Sequence, residues 1–181
     1  MQVDLYSEED ILKGCRKNRR QYQEILYRKY AKKMYGICMS YACDRDLAQD
    51  MLQDSFIKVF KKIKHYKSEG SLEGWIRKIV TNTAIDHLRK QAREQAYLLD
   101  KEEVKEQVYE PDAIENLKTQ DLLNLVAKLP DGARMIFNLY ALEGFSHKEI
   151  AVKMNISTGT SKSQFNRARK MLISLLNKNS A

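Results

Sequence analysis

Four side chains that can pair with DNA bases lie close together near the carboxyl end of the chain: Lys162, Ser163, Asn166 and Arg167. Asn166 and Arg167 follow Lys162 and Ser163 by four positions each, which places all four side chains on one surface of a helix. Arg and Lys donate to guanine or to phosphates, and an Asn amide pairs with adenine in the major groove. The pattern predicts base recognition. An ordinary amphipathic helix whose basic residues face water is the simpler alternative.

The residues around this surface predict a helix-turn-helix over residues 144–172. Ser146 can cap a first helix while Glu149, three residues later, bonds back to the amide of the cap. Asn155 tolerates the left-handed backbone of a tight turn, and Ser157 can cap a second helix. Two short helices joined in this way place the second one in the major groove of DNA.

Ser161 departs from this motif, because a polar residue stands where an apolar side chain usually packs beneath the second helix. We expect looser packing or a tilted helix at this position. Apolar residues follow helical spacing on one side of each predicted helix, with Ile156 at the corner between them: Ile150, Ala151 and Met154 in the first, and Phe165, Ala168, Leu172, Leu175 and Leu176 in the second.

A second polar pattern occupies a predicted helix over residues 46–63. Acids and amides share one face, and apolar residues recur on the opposite face at intervals of three and four. Acids near a helix N-terminus favour the helix dipole, but the same stripe can also bind basic side chains of a partner protein. Periodicity alone gives these two interpretations equal weight. We call these five residues the docking stripe: Asp46, Gln49, Asp50, Gln53 and Asp54.

A third pattern combines a helix predicted over residues 71–90 with the polar loop before it. The loop carries Tyr66 beside Lys67, and a cationic groove with an aromatic platform is how single-stranded bases are held. Packing of Tyr66 in the protein core is an equally good interpretation. One stripe of the helix is predicted to hold five residues: Lys78, Asn82, Ile85, Asp86 and Arg89.

The net charge of +8 over 181 residues indicates a polyanionic partner, either nucleic acid or an anionic membrane surface. Apolar runs fall short of the roughly 20 residues that span a bilayer, and the polar start is unlike a signal peptide. We therefore expect a cytoplasmic protein without membrane insertion. Cys15, Cys38 and Cys43 suit reduced apolar fillers better than disulfides or a zinc site. No metal and no cofactor is expected.

Glycine and proline are scarce and alternating strand patterns are missing, so the predicted fold class is all-α. We expect two small helical domains, residues 1–91 and 118–181. The segment between them, residues 92–117, has eight acidic and three basic side chains and predicts an acidic linker. In the second domain one helix should end at Pro130, Asp131 and Gly132, and another should run through Met135 and Tyr140.

Three segments in this order resemble a known family: DLAQDMLQDSFIKVFKKI, SLEGWIRKIVTNTAIDHLRK and LPDGARMIFNLYALEGFSHKEIAVKMNISTGTSKSQFNRARKML. The family is that of the bacterial RNA polymerase sigma factors, specifically the extracytoplasmic-function (ECF) type, group 4 of the sigma-70 family. The resemblance covers residues 22–176. It implies a sigma region 2 helical bundle over residues 1–91 and a sigma region 4 helix-turn-helix domain over residues 118–181.

The resemblance also implies roles for the three patterns. The docking stripe would contact core RNA polymerase, with Gln49 standing where an acid is common, so that one ionic contact is replaced by a hydrogen bond. The loop over residues 66–69 and the stripe of Lys78, Asn82, Asp86 and Arg89 would contact the melted minus-ten strand. The Lys162 to Arg167 surface would read the minus-thirty-five element. Extruding a base costs a few kcal/mol, which these contacts must offset.

Such a protein has no catalytic residues. Its expected partners are bacterial core RNA polymerase, promoter DNA and, as is common in the family, an anti-sigma factor. A helix-turn-helix repressor or activator that does not bind polymerase would explain the second domain but leaves the docking stripe without a use. A DNA strand-transfer enzyme would need a nucleophilic Ser or Tyr beside clustered Arg or His, and that constellation does not stand out.

Overall fold

The computed structural model of the protein describes the backbone of residues 6–99 and 125–179, and the side chains of residues 6–91 and 125–177. The chain divides into two compact units, Met1–Ala92 and Arg93–Ala181. Within the described ranges the regular structure is entirely helical, which confirms the all-α prediction. Residues 100–117 of the predicted acidic linker lie outside the described residues, so the character of that segment stays a prediction.

Among its described residues, the first unit contains four α-helices. α2 and α3 pack against each other, and Cys43, in the left-handed conformation with φ 53°, lets the chain reverse between them. Asp44 then caps α3, its side chain accepting a 2.7 Å hydrogen bond from the Leu47 amide. The helices are α1 (Glu8–Arg16), α2 (Arg20–Ala42), α3 (Arg45–Lys62), which continues into a 3₁₀ turn (Ile63–His65), and α4 (Leu72–Leu99).

Helix α1 is an element that the sequence analysis did not predict. The Ser7 hydroxyl caps it by accepting a 3.1 Å hydrogen bond from the Asp10 amide, and acidic residues fill its first turn. Ile11 and Leu12 are buried. The signal was present in the sequence, because a serine followed three residues later by an acid, ahead of an apolar pair, is typical of a helix start.

One residue that was predicted to lie on the polar stripe of α4 is buried in the core of the first unit. Ile85 is 3% exposed and packs inside, although the spacing placed it beside Lys78 and Asn82. The buried face of α4 is therefore wider than predicted. Burying a large aliphatic side chain such as that of Ile85 stabilises the fold by about 2 kcal/mol, which favours this arrangement. The large, fully buried side chains include Leu26, Met34, Met51, Val59, Ile63, Leu72, Ile76 and Val80.

The second unit contains three α-helices within the described residues: α5 (Asp131–Phe137), α6 (His147–Met154) and α7 (Thr158–Asn179). A short helical stretch over residues 125–127 precedes them, and a π-helical turn (Asn138–Leu142) follows α5. α5 and α7 pack together over one core. That core consists of Leu125, Val126, Leu129, Ala133, Ala168 and Leu172.

The helix over residues 125–127 ends before Pro130, where the sequence predicted a break, and Asp131 and Gly132 lie in the first turn of the next helix, α5, with Pro130 as its N-cap. Proline lacks an amide hydrogen and is tolerated where a helix begins. The buried Arg134 fixes this junction. Its guanidinium donates to the Leu129 carbonyl at 2.9 Å and lies 2.6 Å from the Asp131 carboxylate.

Candidate functional site

The two helices of the predicted helix-turn-helix form as the sequence indicated. Ser146 and Glu149 make a reciprocal capping box at the start of α6, with the Ser146 amide donating to Glu149 at 2.8 Å. The Ser146 hydroxyl, at 2.7 Å, and the Ser146 amide both donate to the Glu149 carboxylate and lower the pKa of that carboxyl. Asn155 occupies the turn with φ 53° and ψ 48°, and the Ser157 hydroxyl accepts from the Thr160 amide at 2.9 Å. The predicted caps and turn are confirmed.

Ser161 proves to be fully buried, and its hydroxyl has a partner. The Nδ1 atom of His147, at the start of α6, lies 2.9 Å from Ser161 Oγ. The imidazole also stacks on Tyr140, with the ring centres 4.5 Å apart, and Phe165 of α7 meets the same tyrosine at 4.5 Å. The polar residue beneath the second helix is thus held by a hydrogen bond and an aromatic cluster, where looser packing was expected.

The predicted base-reading side chains lie together on the outer surface of α7. Lys162, Ser163, Asn166 and Arg167 are all exposed, while Ala168 of the same helix is buried in the core. The Ser163 hydroxyl donates to the Thr160 carbonyl at 3.0 Å. Leu176, which the spacing puts on the apolar side of this helix, is 48% exposed. The surface has the composition that major-groove recognition requires, and its base contacts stay a prediction.

All five residues of the docking stripe are exposed on α3. Asp54 has a partner within the protein, because its carboxylate lies 2.8 Å from His87 Nε2 of α4. One turn further along, Lys58 of α3 lies 3.3 Å from the carboxylate of Asp86. These two pairs connect α3 to α4. Asp54 belongs to the docking stripe, and Asp86 is one of the predicted DNA contacts. Sequence spacing within a single helix could not identify pairs between helices.

An open groove of about 690 Å³ lies beside the docking stripe, between α2 and α3. Gln49 and Gln53 line it and also belong to the stripe. Tyr27 and Ile57 are both more than two-fifths exposed there, and the Tyr27 ring meets Phe56 edge-on at 4.7 Å. The other apolar residues along the groove are Tyr35, Leu52 and Phe60. The sequence pattern did not predict this groove, because its residues come from two helices.

The polar residues predicted on α4 share one surface, although they differ in exposure. Lys78 and Asp86 are exposed, whereas Asn82 and Arg89 are half-buried. Because Ile85 is buried, this surface consists of one amide, one acid and two cations. It can therefore bind both phosphates and base edges.

Tyr66 is not an exposed platform for a base, and that prediction was wrong. Its side chain is 4% exposed, its ring centre lies 5.2 Å from that of Trp75, and its hydroxyl donates to the Gly70 carbonyl at 2.7 Å. Burial with the hydroxyl satisfied is the usual environment of a core tyrosine. The Tyr66 carbonyl also accepts a 2.7 Å hydrogen bond from Arg16 Nη2. Lys67 remains exposed beside it.

The described residues do not include a group of three or more His, Cys, Asp or Glu side chains able to hold a metal ion. Cys15 and Cys38 are buried, and burial raises the pKa of the Cys15 thiol to about 11 and that of Cys38 to about 12. None of the helices described is long and apolar enough to cross a membrane.

Both units match models of known protein families. Residues 26–94 match the family model of sigma-70 region 2, and residues 119–172 match that of sigma-70 region 4. The chain is 30% identical over 159 residues to an ECF RNA polymerase sigma-E factor of Haemophilus influenzae, covering 82% of this chain and 84% of that protein. It is also 30% identical over 155 residues to the ECF sigma factor SigM of Bacillus subtilis, covering 84% and 94%.

Two further comparisons agree with these. The chain is 29% identical over 160 residues to the ECF sigma factor SigE of Mycolicibacterium smegmatis, covering 86% of this chain and 62% of that longer protein. Among solved structures, the sigma factor RpoE of Bartonella quintana, determined with the anti-sigma factor NepR, superimposes with a TM-score of 0.54. That match has 25% identity and covers 85% of this chain and 96% of that one. The chain belongs to the ECF sigma factors of the sigma-70 family, which bind core RNA polymerase and direct transcription initiation from specific promoters.

Proposed function

We propose that the docking stripe and the adjoining groove form the surface that binds core RNA polymerase. The observation that carries this proposal is the continuity of the two features. Gln49 and Gln53 belong to both, so one face of α3 offers carboxylates and amides beside exposed aromatic and aliphatic side chains. A partner helix with basic residues along an apolar seam would fit such a surface.

The same proposal assigns promoter contacts to the two units separately. In the first unit, Lys67 and the α4 residues Lys78, Asn82, Asp86 and Arg89 contact the melted minus-ten strand. In the second unit, Lys162, Ser163, Asn166 and Arg167 read the minus-thirty-five element in the major groove. Exposure on one side of α7 and the buried Ala168 on the other support this second assignment.

Tyr66 has a different role in this proposal from the one that the sequence suggested. Its hydroxyl bonds to Gly70 and its carbonyl accepts from Arg16, so the residue holds both ends of the loop over residues 66–70. It thus acts as a positioning residue. The exposed side chains of the loop, including Lys67, are then the ones available to the strand.

The chain acts in this proposal without chemistry of its own, in the cytoplasm, and an anti-sigma factor covers its polymerase-binding surface until transcription is needed. The structure of RpoE with NepR supports the last expectation, because that relative binds such a protein. Family membership disfavours the repressor alternative, which has no use for a polymerase-binding surface.

The test is core binding followed by run-off transcription. The unmutated chain should form a complex with bacterial core polymerase and yield promoter-specific transcripts. Asp50→Ala combined with Gln53→Ala should weaken core binding at least tenfold while the helical content is kept. Asp50 and Gln53 are exposed stripe residues, and this pair leaves the Asp54 contact with His87 intact.

His87→Gln is the matched control, because it removes the imidazole that contacts Asp54 without changing the stripe. Core binding should survive this change. Failure of the unmutated chain to bind core polymerase contradicts the proposed function. Normal binding by the Asp50 and Gln53 double variant contradicts the placement of the surface on this face of α3.

A further inference from the structure

The turn between α1 and α2 carries three exposed cations, which we call the basic turn: Lys17, Arg19 and Arg20. The chain reverses there within three residues because Asn18 adopts the left-handed conformation with φ 54°. Of the residues that the structure describes, none forms an ion pair with these three side chains. A cluster of like charges without acidic partners repels itself, so an anion bound there would relieve that repulsion.

Three other exposed cations of α1 and α2 have partners. Lys13 lies 2.8 Å from Glu9, Arg28 lies 2.6 Å from Glu24, and Lys29 lies 5.7 Å from the centre of the Tyr30 ring. Each of these exposed cations has a partner within its own helix. The basic turn has no such partner among the described residues and places three cations within four positions of the chain.

A single hydrogen bond locates the basic turn within the first unit. Arg16, the last residue of α1, donates from Nη2 to the Tyr66 carbonyl at 2.7 Å. The basic turn begins at the next residue, so it adjoins the loop over residues 66–70. Both segments are exposed, and the loop adds Lys67 to the same neighbourhood. The basic turn and Lys67 together bring four cations to a loop whose aromatic residue is buried and cannot stack on a base.

We propose that the basic turn binds phosphates of the single DNA strand held at the loop over residues 66–70. This inference rests on the proposed function, because it requires the loop to contact melted promoter DNA. Grooves that hold single strands combine stacking platforms with cations that follow the backbone. With Tyr66 buried, charge has to provide more of the binding, and the basic turn lies within side-chain reach of nucleotides flanking the loop.

The test measures how the affinity of the holoenzyme for DNA depends on salt. The test variant is Lys17→Gln/Arg19→Gln/Arg20→Gln. The control variant, Lys13→Gln/Arg28→Gln/Lys29→Gln, removes the same total charge from cations that have partners. The first probe is a single-stranded minus-ten oligonucleotide with flanking nucleotides from a promoter that gives run-off transcripts, and the second is an upstream duplex that ends before the minus-ten element.

Each phosphate contact on a single strand contributes about 0.7 to the slope of log affinity against log salt. The test variant should therefore lower that slope by up to about 2 on the single-stranded probe and leave it unchanged on the upstream duplex. The control variant should keep the unmutated slope on both probes. Circular dichroism of both variants should show unchanged helical content.

Equal salt slopes for the test and control variants on the single-stranded probe would overturn the inference. The three cations of the basic turn would then contribute no more to strand binding than three other cations of the same unit. An equal decrease on both probes would also overturn it and would assign the basic turn to duplex DNA. Both results are read against an unmutated holoenzyme that binds and transcribes. Failure of that holoenzyme would instead contradict the proposed function.

Discussion

The Nδ1 atom of His147 and the hydroxyl oxygen of Ser161 lie 2.9 Å apart, and their hydrogen bond joins the start of α6 to the first turn of α7. Ser161 is fully buried, so its hydroxyl would lack solvent if the imidazole were removed. Tyr140 holds the imidazole by stacking on it. Lys162 and Ser163 follow Ser161 directly, so this contact helps to position the proposed base-reading surface.

Substituting both residues of this pair should destabilise the protein by less than the sum of the two single substitutions. His147→Phe keeps a ring over Tyr140 but leaves a buried hydroxyl unpaired, which costs about 1–3 kcal/mol. Ser161→Val removes the partner of the imidazole. The double variant replaces both polar groups with apolar ones and should recover part of the loss. Denaturant unfolding followed by circular dichroism measures these changes.

Ser163→Ala is the control, because Ser163 is exposed on the same helix and its change should stay within about 0.5 kcal/mol. Strict additivity of the two single substitutions would show that the His147 and Ser161 contact contributes nothing to stability.

Arg167→Ala should lower the affinity of the holoenzyme for promoter DNA by about 1–3 kcal/mol if the guanidinium makes a bidentate base contact. The loss should depend on the sequence of the minus-thirty-five element, since a phosphate contact would weaken all sequences alike. Quantitative footprinting over the upstream element measures it. Arg169, exposed two residues further along α7, offers a control of the same charge. An Arg167→Ala footprint identical to the unmutated one contradicts the assignment.

The capping box of α6 should become weaker in acid. Hydrogen bonds from Ser146 lower the pKa of the Glu149 carboxyl below the value of an ordinary glutamate. A carboxyl with a lowered folded-state pKa stabilises the protein above its unfolded-state pKa, and this stabilisation is lost as the pH falls through the folded-state value. The free energy of unfolding should therefore decrease more steeply in the unmutated chain than in Glu149→Gln below about pH 4.5. Parallel pH profiles would contradict this.

The cysteines should differ in reactivity, because burial raises the pKa of two of them. With thiol pKa values of about 11 and 12, Cys15 and Cys38 carry almost no thiolate at pH 8. An alkylating reagent should modify the half-buried Cys43 first in the folded protein, and all three only after denaturation. Peptide mass spectrometry resolves the three sites. Early labelling of Cys38 would show that the first unit opens readily.

Local signals in the sequence predicted much of the fold. The Ser146 and Glu149 cap, the left-handed Asn155 and the faces of α3 and α7 follow from interactions within about four residues. The same kind of signal at Ser7 and Asp10 would have identified α1. The limits of α5 were less predictable, because Pro130 is compatible with either the end of one helix or the start of the next.

The sequence by itself determined the all-α character, the helix-turn-helix, the polar surfaces and, through its motifs, the family. Only the tertiary structure decided that Tyr66 is buried, that Asp54 lies beside His87, and that Ser161 has His147 as a partner. Helix periodicity fixes the face on which a side chain lies, but the angle and offset at which two helices pack decide which faces meet. Contacts between residues distant in sequence, including the one that places the basic turn beside the loop over residues 66–70, depend on that packing.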